Sequence, residues 1–396
     1  MHEVLAPTTS RRGETTSPAR GSVASIGSRL RRIALVAAIV ALAPAVVSYV
    51  GVVTEASNSS LGIRSVEWLR EHGAASIVAK VESVYYTLTA PSKGGPALRA
   101  LPKVGFGVAA ARSSRGRLAE EVRAGMRPAR VHAVLHPALA EEGVWHAIRR
   151  GLGGAPPVLI ATVRDQPEYP RVVAGLAWID TKRAELTLNP GRLEPSVELP
   201  RGAMMVPADR RRTLLATFNS GFKLSDSKGG FVLGGHTYAA MRNGQGTVVG
   251  YSDGRVDVID WEYGSVAPAG VSYARQNLPL IVQDGHAAPN IENDAAWGAT
   301  VGNAVLVWRS AIGIDRHDNL IYTSGPDQSV GSLARVLIHA GAVRAMELDI
   351  NSYWTSFITY GLPGALDPSN LLPDMERSDT RYLEPDDRDF FAVYSR

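Results

Sequence analysis

The chain has 396 residues and no cysteine, and its 42 Lys and Arg side chains exceed its 38 Asp and Glu side chains by four. Without cysteine there are no disulfide bonds and no thiolate metal sites, so a folded domain must rely on its hydrophobic core. Residues 1–32 hold six Arg and two Glu, which accounts for the whole positive excess. Because basic and acidic residues cancel in the rest of the chain, we expect no nucleic-acid partner.

Residues 33–53 form an uncharged apolar run that predicts a transmembrane helix. At 1.5 Å per residue the run crosses the ~30 Å core of a bilayer. Residues 1–32 predict a disordered tail, and their Arg excess places it in the cytoplasm and the remaining chain outside. A buried core helix and a cleaved signal peptide are alternatives; residues 41–43 resemble a cleavage site, but Pro44 follows. We expect an uncleaved single-pass anchor in the cell membrane.

Residues 54–102 predict a helical stalk and linker. Apolar side chains recur every three or four positions over residues 61–84, which is typical of an amphipathic helix that packs against the main domain. Pro and Gly residues between 91 and 96 end that pattern. Residues 103–154 are an ambiguous connecting region, with one predicted helix at 118–124.

From residue 155 to 396 the sequence consists mainly of short β-rich segments separated by turns, which predicts a β-rich α+β domain. The first three strands and the clearest helix are predicted at residues 158–164, 172–180, 184–190 and 332–340. Residues 250–254 read Gly-Tyr-Ser-Asp-Gly, the G-x-S-x-G string of serine hydrolases. That chemistry requires a strand–turn–helix elbow, whereas this string separates two β segments and therefore predicts a hairpin turn.

Two segments place polar residues in apolar strand patterns. In the first, Asn219, Ser220 and Gly221 interrupt the end of an apolar strand. In the second, Arg309 and Ser310 lie inside an apolar strand pattern. A buried Arg is costly unless it is paired or lines a cleft. The sequence leaves open whether Arg309 belongs to a functional site or to a structural ion pair.

A third segment brings two carboxylates onto one strand. Side chains alternate faces along a strand, so one face would carry Glu347, Asp349 and Asn351. The other face would place Met346, Leu348 and Ile350 in the core. Two neighbouring buried carboxylates need a cation, an Arg or a shared proton. This pattern indicates either a functional site or a structural network, and Ca²⁺ or Mg²⁺ beside the carboxylates is one option.

In this order the three segments resemble the phosphodiester glycosidase domain family over roughly residues 200–360. Residues 219–222 are similar to its N-G-G-F-F element, residues 309–313 to its R-T-A-I-G strand, and residues 345–353 loosely to its A-x-N-L-D-G-G-G-S strand. The family includes a lysosomal enzyme that uncovers mannose 6-phosphate and bacterial proteins linked to exopolysaccharides. The resemblance implies hydrolysis of a sugar-1-phosphodiester at its glycosidic bond.

The resemblance also implies roles for individual residues. Asp349, or Glu347 beside it, would be the catalytic carboxylate, and Arg309 would hold the phosphate through a forked contact. The residues implied in substrate binding are Asn219, Gly221, Ser310, Asn351 and, through a sugar contact, His236.

The third motif departs from the family. Its glycine triplet is replaced by Ile350, Asn351 and Ser352, followed by Tyr353 and Trp354. Because Ile cannot readily adopt a positive φ, this loop cannot form the family's backbone nest for phosphate. Two hypotheses follow: a hydrolase of an envelope or exopolysaccharide glycan, or a non-catalytic glycan-binding or scaffold protein. The two aromatic side chains would either stack on a sugar or pack in the core.

Overall fold

The computed structural model describes residues 23–102, 128–148, 155–297 and 306–396. The predicted tail, up to residue 22, and the predicted helix at 118–124 lie outside these ranges. The chain divides into two units, Met1–Glu55 and Ala56–Arg396.

The first unit contains helix α1, Val23–Thr54, with Pro44 inside it. Within it, Gly27–Thr54 is long and apolar enough to cross a membrane. A signal sequence near an N-terminus has the same character, so length and composition do not distinguish the two. The prediction of a long apolar helix is confirmed, and the helix begins ten residues before the predicted span.

The second unit begins with two short helices, α2 at Leu61–Leu69 and α3 at Ala75–Thr89. A π-helical turn, Arg70–Ala74, joins them, and Gly73 has a φ of 89° there. That backbone conformation suits glycine and interrupts the helix. The predicted helical stalk therefore consists of two short helices rather than one. We call residues 57–89 the strap.

The apolar face of α3 does not pack against the domain. Ile77, Val81, Val84 and Leu88 are between 59% and 80% exposed. The strap instead reaches the domain through polar groups, including Ser57 and the ion pairs described below. The predicted packing of the apolar stripe against the main domain is wrong, because polar side chains provide that contact.

The rest of the second unit is built on three sheets, in which every described strand pair is antiparallel. In spatial order, and numbered along the chain, the eight-stranded sheet contains β1 His146–Ala147, β2 Val158–Val163, β3 Ala174–Ile179, β14 Leu320–Gln328, β13 Val307–Asp315, β15 Ala342–Glu347, β11 Leu280–Gln283 and β12 His286–Ala287. The second sheet contains β7 His236–Ala239, β6 Phe231–Leu233, β10 Val271–Gln276, β8 Gly246–Tyr251 and β9 Val256–Asp260. The third contains β17 Leu366–Asn370, β16 Phe357–Leu362, β5 Leu214–Asn219, β18 Phe390–Ser395 and β4 Ala184–Asn189.

Few helices accompany these sheets. Helix α4 is a single turn, Leu224–Ser227, and α5 spans Val330–His339. Ser329 caps α5: its Oγ accepts from the backbone N of Ser332 at 3.0 Å, and its own backbone N donates to the Ser332 Oγ at 3.0 Å. Short 3₁₀ segments occur at Ala208–Thr213, Asp294–Trp297 and Arg381–Leu383.

The α+β prediction is confirmed, as are the three predicted strands, now β2, β3 and β4, and the predicted helix, now α5. The G-x-S-x-G string forms the end of β8 and the turn into β9, so the hairpin prediction is also confirmed. The alternation predicted along β15 is confirmed in part. Met346 and Leu348 belong to the same core cluster, whereas Ile350 is half-buried at the surface because the strand ends at Glu347.

The eight-stranded sheet has a hydrophobic core on each face. On one face, Ile312 and Met346 join Phe218 and Phe391 of the third sheet in one cluster. A second cluster contains Ala311 and Ala345 together with residues of α5. Because neighbouring residues on a strand alternate, β13 and β15 contribute to both clusters. These two strands carry the polar segments singled out in the sequence.

Candidate functional site

A cleft of about 810 Å³ lies where the strap meets the loops that follow β5 and β15. The strap contributes Glu67, Arg70, Glu71, Ala75, Glu82 and Tyr86. The domain contributes Phe222, Lys223, Ser225, Asp226, Leu278, Ala296, Asp349, Ile350, Asn351, Trp354 and Arg388. Charged groups of both signs and aromatic rings therefore line the same space. Of the eight residues predicted for the site, Asp349 and Asn351 line it.

Asp349 is held in place by backbone contacts just past the end of β15. Its carbonyl oxygen accepts from the backbone N and the Oγ of Ser310, at 3.1 and 2.7 Å. Its own backbone N donates to the Ser220 carbonyl at 3.2 Å. The two earlier polar segments therefore fix the backbone that presents this carboxylate to the cleft.

The Asp349 carboxylate binds an arginine. Its Oδ2 accepts from Nη2 of Arg388 at 2.8 Å, and its Oδ1 accepts from the backbone N of Asn351 at 3.0 Å. Burial raises the pKa of Asp349 above its ordinary range, and the Arg388 charge offsets that rise only in part. The side chain is thus placed where it can hold a proton beside a cation.

Arg388 comes from the loop before β18 and was not among the predicted site residues. Its Nη2 also donates to the Gly221 carbonyl at 3.1 Å, and its guanidinium lies 5.2 Å from the centre of the Trp354 ring. The only sequence signal was the charged run of residues 384–389 directly before an apolar strand. Such a run is usually solvated, so it gave no reason to expect a buried arginine.

A second group of charges lies on the strap side of the cleft. Nζ of Lys223 binds Oε2 of Glu67 and lies 3.5 Å from Oε1 of Glu71. Nη1 of Arg70 donates to the other Glu67 oxygen at 3.1 Å, and Arg70 also binds Glu82. Burial alone would raise the pKa of Glu67, but the charges of Lys223 and Arg70 outweigh it and hold the pKa below its ordinary value.

Arg309 and Glu347 form a separate pair, away from the cleft. Nη1 of Arg309 donates to Oε1 of Glu347 at 2.6 Å, and neither side chain has exposed surface. Arg309 also donates to the carbonyls of Gln328 and Trp297, at 3.0 and 3.4 Å. The structure therefore brings these two predicted residues to each other and not to Asp349.

Asn219 is buried in a hydrogen-bond network. Its Nδ2 donates to the Ser310 Oγ at 2.9 Å, and its Oδ1 accepts from the Tyr322 hydroxyl at 2.9 Å and from the backbone N of Ser356 at 3.0 Å. It does not line the cleft but supports Ser310, which supports Asp349.

The other predicted binding residues occupy three different places. Gly221 lies against Asn277, whose side chain would be 3.0 Å from a Cβ at that position. Asn351 lines the cleft, and its Oδ1 accepts from the backbone N of Tyr353 at 2.9 Å. His236 is exposed on β7 of the second sheet and is not part of the cleft lining.

The two aromatic residues after the third motif are both buried. The Tyr353 hydroxyl accepts from the backbone N of Ser60 at 2.8 Å, which ties the ring to the strap. Trp354 lines the cleft, with Arg388 over its ring. The tyrosine therefore has a structural contact, while the tryptophan offers part of its surface to the cleft.

Across the ranges that the structure describes, no three His, Asp or Glu side chains come together in a way that could hold a metal ion. The cleft carboxylates of Asp349 and Glu67 bind Arg388 and Lys223 instead. The arrangement therefore supplies cations of its own beside each carboxylate.

No family model matches the sequence. No curated protein matches it either. Among solved structures, the chain is similar to the catalytic domain of zebrafish N-acetylglucosamine-1-phosphodiester alpha-N-acetylglucosaminidase, auto-inhibited by its pro-peptide, at 15% identity and a TM-score of 0.39, over 64% of this chain and 87% of that one. A hypothetical protein from Synechocystis matches at 14% identity and a TM-score of 0.35, over 61% of this chain and 64% of that one. An exported protein from Burkholderia pseudomallei matches at 11% identity and a TM-score of 0.33, over 59% of this chain and 75% of that one.

Proposed function

We propose that this protein is a hydrolase that cleaves a sugar-1-phosphodiester at its glycosidic bond, in a glycan of the cell envelope or an exopolysaccharide. The observation that carries the proposal is the Asp349–Arg388 pair in a cleft that Trp354 also lines. An acid group and a cation suit the cleavage of a sugar phosphodiester, and an aromatic side chain beside them can contact the sugar.

Each group has a role in this reaction. Arg388, with Lys223 nearby in the same cleft, would bind the phosphodiester and stabilise the charge that develops as the phosphate leaves. Asp349, whose pKa is raised by burial, would donate a proton to the leaving oxygen. The part of Trp354 that lines the cleft would contact the sugar.

We assign the other motif residues supporting roles. Ser310 and Asn219 position the backbone of Asp349, and the carbonyl of Gly221 positions Arg388. Arg309 and Glu347 would act as an internal ion pair rather than in phosphate binding or catalysis, since neither has exposed surface. Asn219, Ser310 and Arg309 would then support the site without lining the cleft.

A second candidate function is glycan binding without catalysis, as a receptor or envelope scaffold. Both Asp349 oxygens already accept hydrogen bonds, one from Arg388 and one from the backbone N of Asn351. The loop beside them also carries the side chains of Ile350 and Asn351 in place of glycines, which fills space that a phosphate would need.

The deciding assay uses the full chain in detergent with methyl and aryl diesters of several hexose 1-phosphates. We expect release of free sugar and a phosphomonoester, and a loss of about 10²–10⁴-fold in kcat for Asp349→Asn at an unchanged melting temperature. Asp209→Asn, an exposed carboxylate on a 3₁₀ turn, is the matched control and should retain full activity. No turnover by the unmodified chain, with saturable binding of a glycan, would reject the hydrolase and support the second candidate.

We also propose that α1 is an uncleaved anchor, with residues 1–32 in the cytoplasm and the second unit outside. The six Arg before the apolar run and Pro44 after the cleavage-like residues support this topology. The mass of the protein extracted from membranes tests it: the intact chain supports an anchor, and loss of the first 43 residues would identify a signal peptide.

A further inference from the structure

The strap is fixed to the domain at its first residues. Ser57 and Ser59 each donate from Oγ to Oδ2 of Asp387, at 2.7 and 2.6 Å. Nδ2 of Asn58 donates to Oδ2 of Asp386 at 3.1 Å. Together with the Ser60–Tyr353 hydrogen bond, these contacts set where α2 begins.

Two turns into α2, Glu67 faces the cleft. It lines the cleft together with Asp349, and its side chain is only 18% exposed. Lys223, from the loop after β5, binds one of its oxygens, and Arg70 binds the other. Of the strap carboxylates, Glu71 is farther from Lys223 and is 63% exposed, whereas Glu82 binds Arg70. Glu67 is therefore the carboxylate that the strap presents to the domain.

We propose that Glu67 is a second catalytic carboxylate of the cleft and acts as the general base that activates water, an inference that rests on the proposed hydrolase function. Hydrolysis of a glycosidic bond commonly requires two carboxyl groups, one that gives a proton and one that takes it. The domain loops supply the first, Asp349, and the strap supplies the second. The strap thereby becomes part of the active site rather than a spacer.

The electrostatics of the two carboxylates agree with this division. Burial raises the pKa of Asp349, which suits a proton donor, while Lys223 and Arg70 keep the pKa of Glu67 low despite its burial, so Glu67 is ionised and able to accept a proton. The charge of Glu67 itself contributes to the raised pKa of Asp349, so the two carboxyl groups lie close enough to interact. The charged groups that bear on Glu67 are Lys223, Arg70, Arg388, Glu82, Glu71 and Asp349.

The reaction step is balanced as follows. Glu67 takes a proton from water while the water oxygen bonds to the anomeric carbon of the sugar. The bond from that carbon to the phosphoester oxygen breaks, and its electron pair passes to that oxygen, which takes the proton of Asp349. The products are the free sugar and a phosphomonoester beside Arg388. Proton exchange with solvent then restores both carboxyl groups.

The test compares Glu67→Gln with Glu198→Gln in the full chain, using any hexose 1-phosphate diester that the unmodified protein cleaves. Glu198 is the matched control because it undergoes the same substitution but is exposed and does not line the cleft. We expect Glu67→Gln to lower kcat by about 10²–10⁴-fold and to remove the acidic limb of the pH–rate profile, with KM changed little. Glu198→Gln should change kcat by less than about threefold, since it keeps the proposed base.

Glu67→Asp separates loss of the base from a folding defect, because it keeps the negative charge that binds Lys223. It should melt like the unmodified protein, lose activity and retain the acidic limb. Unchanged kcat in Glu67→Gln would overturn the proposal and make the residue structural. Increased kcat would also overturn it, because the strap would then obstruct the cleft. An inactive unmodified chain would instead refute the hydrolase proposal itself, which keeps the two failures distinguishable.

Discussion

Glu347 and Asp349 are separated by one residue, yet each binds a different arginine in a different environment. Glu347 binds Arg309 at 2.6 Å, and both side chains are fully enclosed. Asp349 binds Arg388 at 2.8 Å, and these side chains keep 7% and 8% of their surface exposed at the cleft. A carboxylate–arginine pair thus occurs once as an internal contact and once in a place that a ligand can reach.

The difference arises where β15 ends. Glu347 is the last residue of the strand, directly opposite Ala311 of β13, whereas Asp349 lies in the loop beyond it. Removing one partner of an enclosed pair leaves a buried charge without compensation, while water can solvate a charge at the edge of a cleft. We therefore expect the first pair to matter for stability and the second for activity.

The largest expected effect on stability is that of Arg309→Ala. It should lower the free energy of unfolding by about 3–5 kcal/mol, because it removes the guanidinium that binds the fully buried Glu347 carboxylate. Arg388→Ala should cost about 1–3 kcal/mol, since its partner borders the cleft. Urea unfolding of the full chain in detergent, followed by tryptophan fluorescence, measures both. A greater cost for Arg388→Ala would contradict the division between the two pairs.

A second, smaller effect is recovery in the double variant Arg309→Met with Glu347→Leu. Replacing both partners of a buried pair with apolar groups removes the isolated charge, so the double variant should regain at least about 2 kcal/mol of the loss seen in Arg309→Ala. The same unfolding experiment gives the comparison. If the double variant instead lost the sum of the unfolding free energies lost in Arg309→Met and in Glu347→Leu, the carboxylate and the guanidinium would not act as a pair.

The smallest expected effect is a change in how stability depends on pH when Asp349 is replaced. Burial raises the pKa of Asp349 in the folded protein above its ordinary value of 3.8. The folded state therefore binds this proton more firmly than the unfolded chain, so the contribution to stability is complete below that value and is lost as the pH rises through the folded pKa. Stability measured between pH 4 and pH 8 should fall less with rising pH in Asp349→Asn than in the unmodified protein. A steeper fall in the variant would mean that the pKa is lowered instead.

Much of the sheet structure follows directly from the sequence. The run VLIATV at β2 is apolar on both faces, and all six residues are buried, as expected for a strand covered on both sides. The turn residues between β8 and β9 marked a hairpin, and Asp253 and Gly254 lie in that turn. These features depend on neighbours in the chain, so local patterns were sufficient.

The site depended on contacts that no local pattern contains. Arg388 reaches Asp349 across 39 residues of chain, and Glu67 reaches Lys223 across 156. The sequence identified Asp349 by its place in a strand pattern but put Arg309 in the same site, whereas Arg309 binds Glu347 in the structure. Charged residues on a helix or in a loop are usually solvated, so Glu67 and Arg388 carried no signal until the tertiary structure brought them together.

The third sheet cannot be completed without β18, which is its last strand along the chain. It lies inside the third sheet between β5 and β4, so until residues 390–395 have been synthesised both of those strands present an unpaired edge. Two residues just before β18 make long-range contacts. Asp387 accepts hydrogen bonds from Ser57 and Ser59, and Arg388 binds Asp349. A nascent chain that stops before them lacks both the attachment of the strap and the cation of the cleft. The cleft therefore combines side chains from near the beginning and near the end of this unit, and its lining lacks the cation that binds Asp349 until Arg388 has been added.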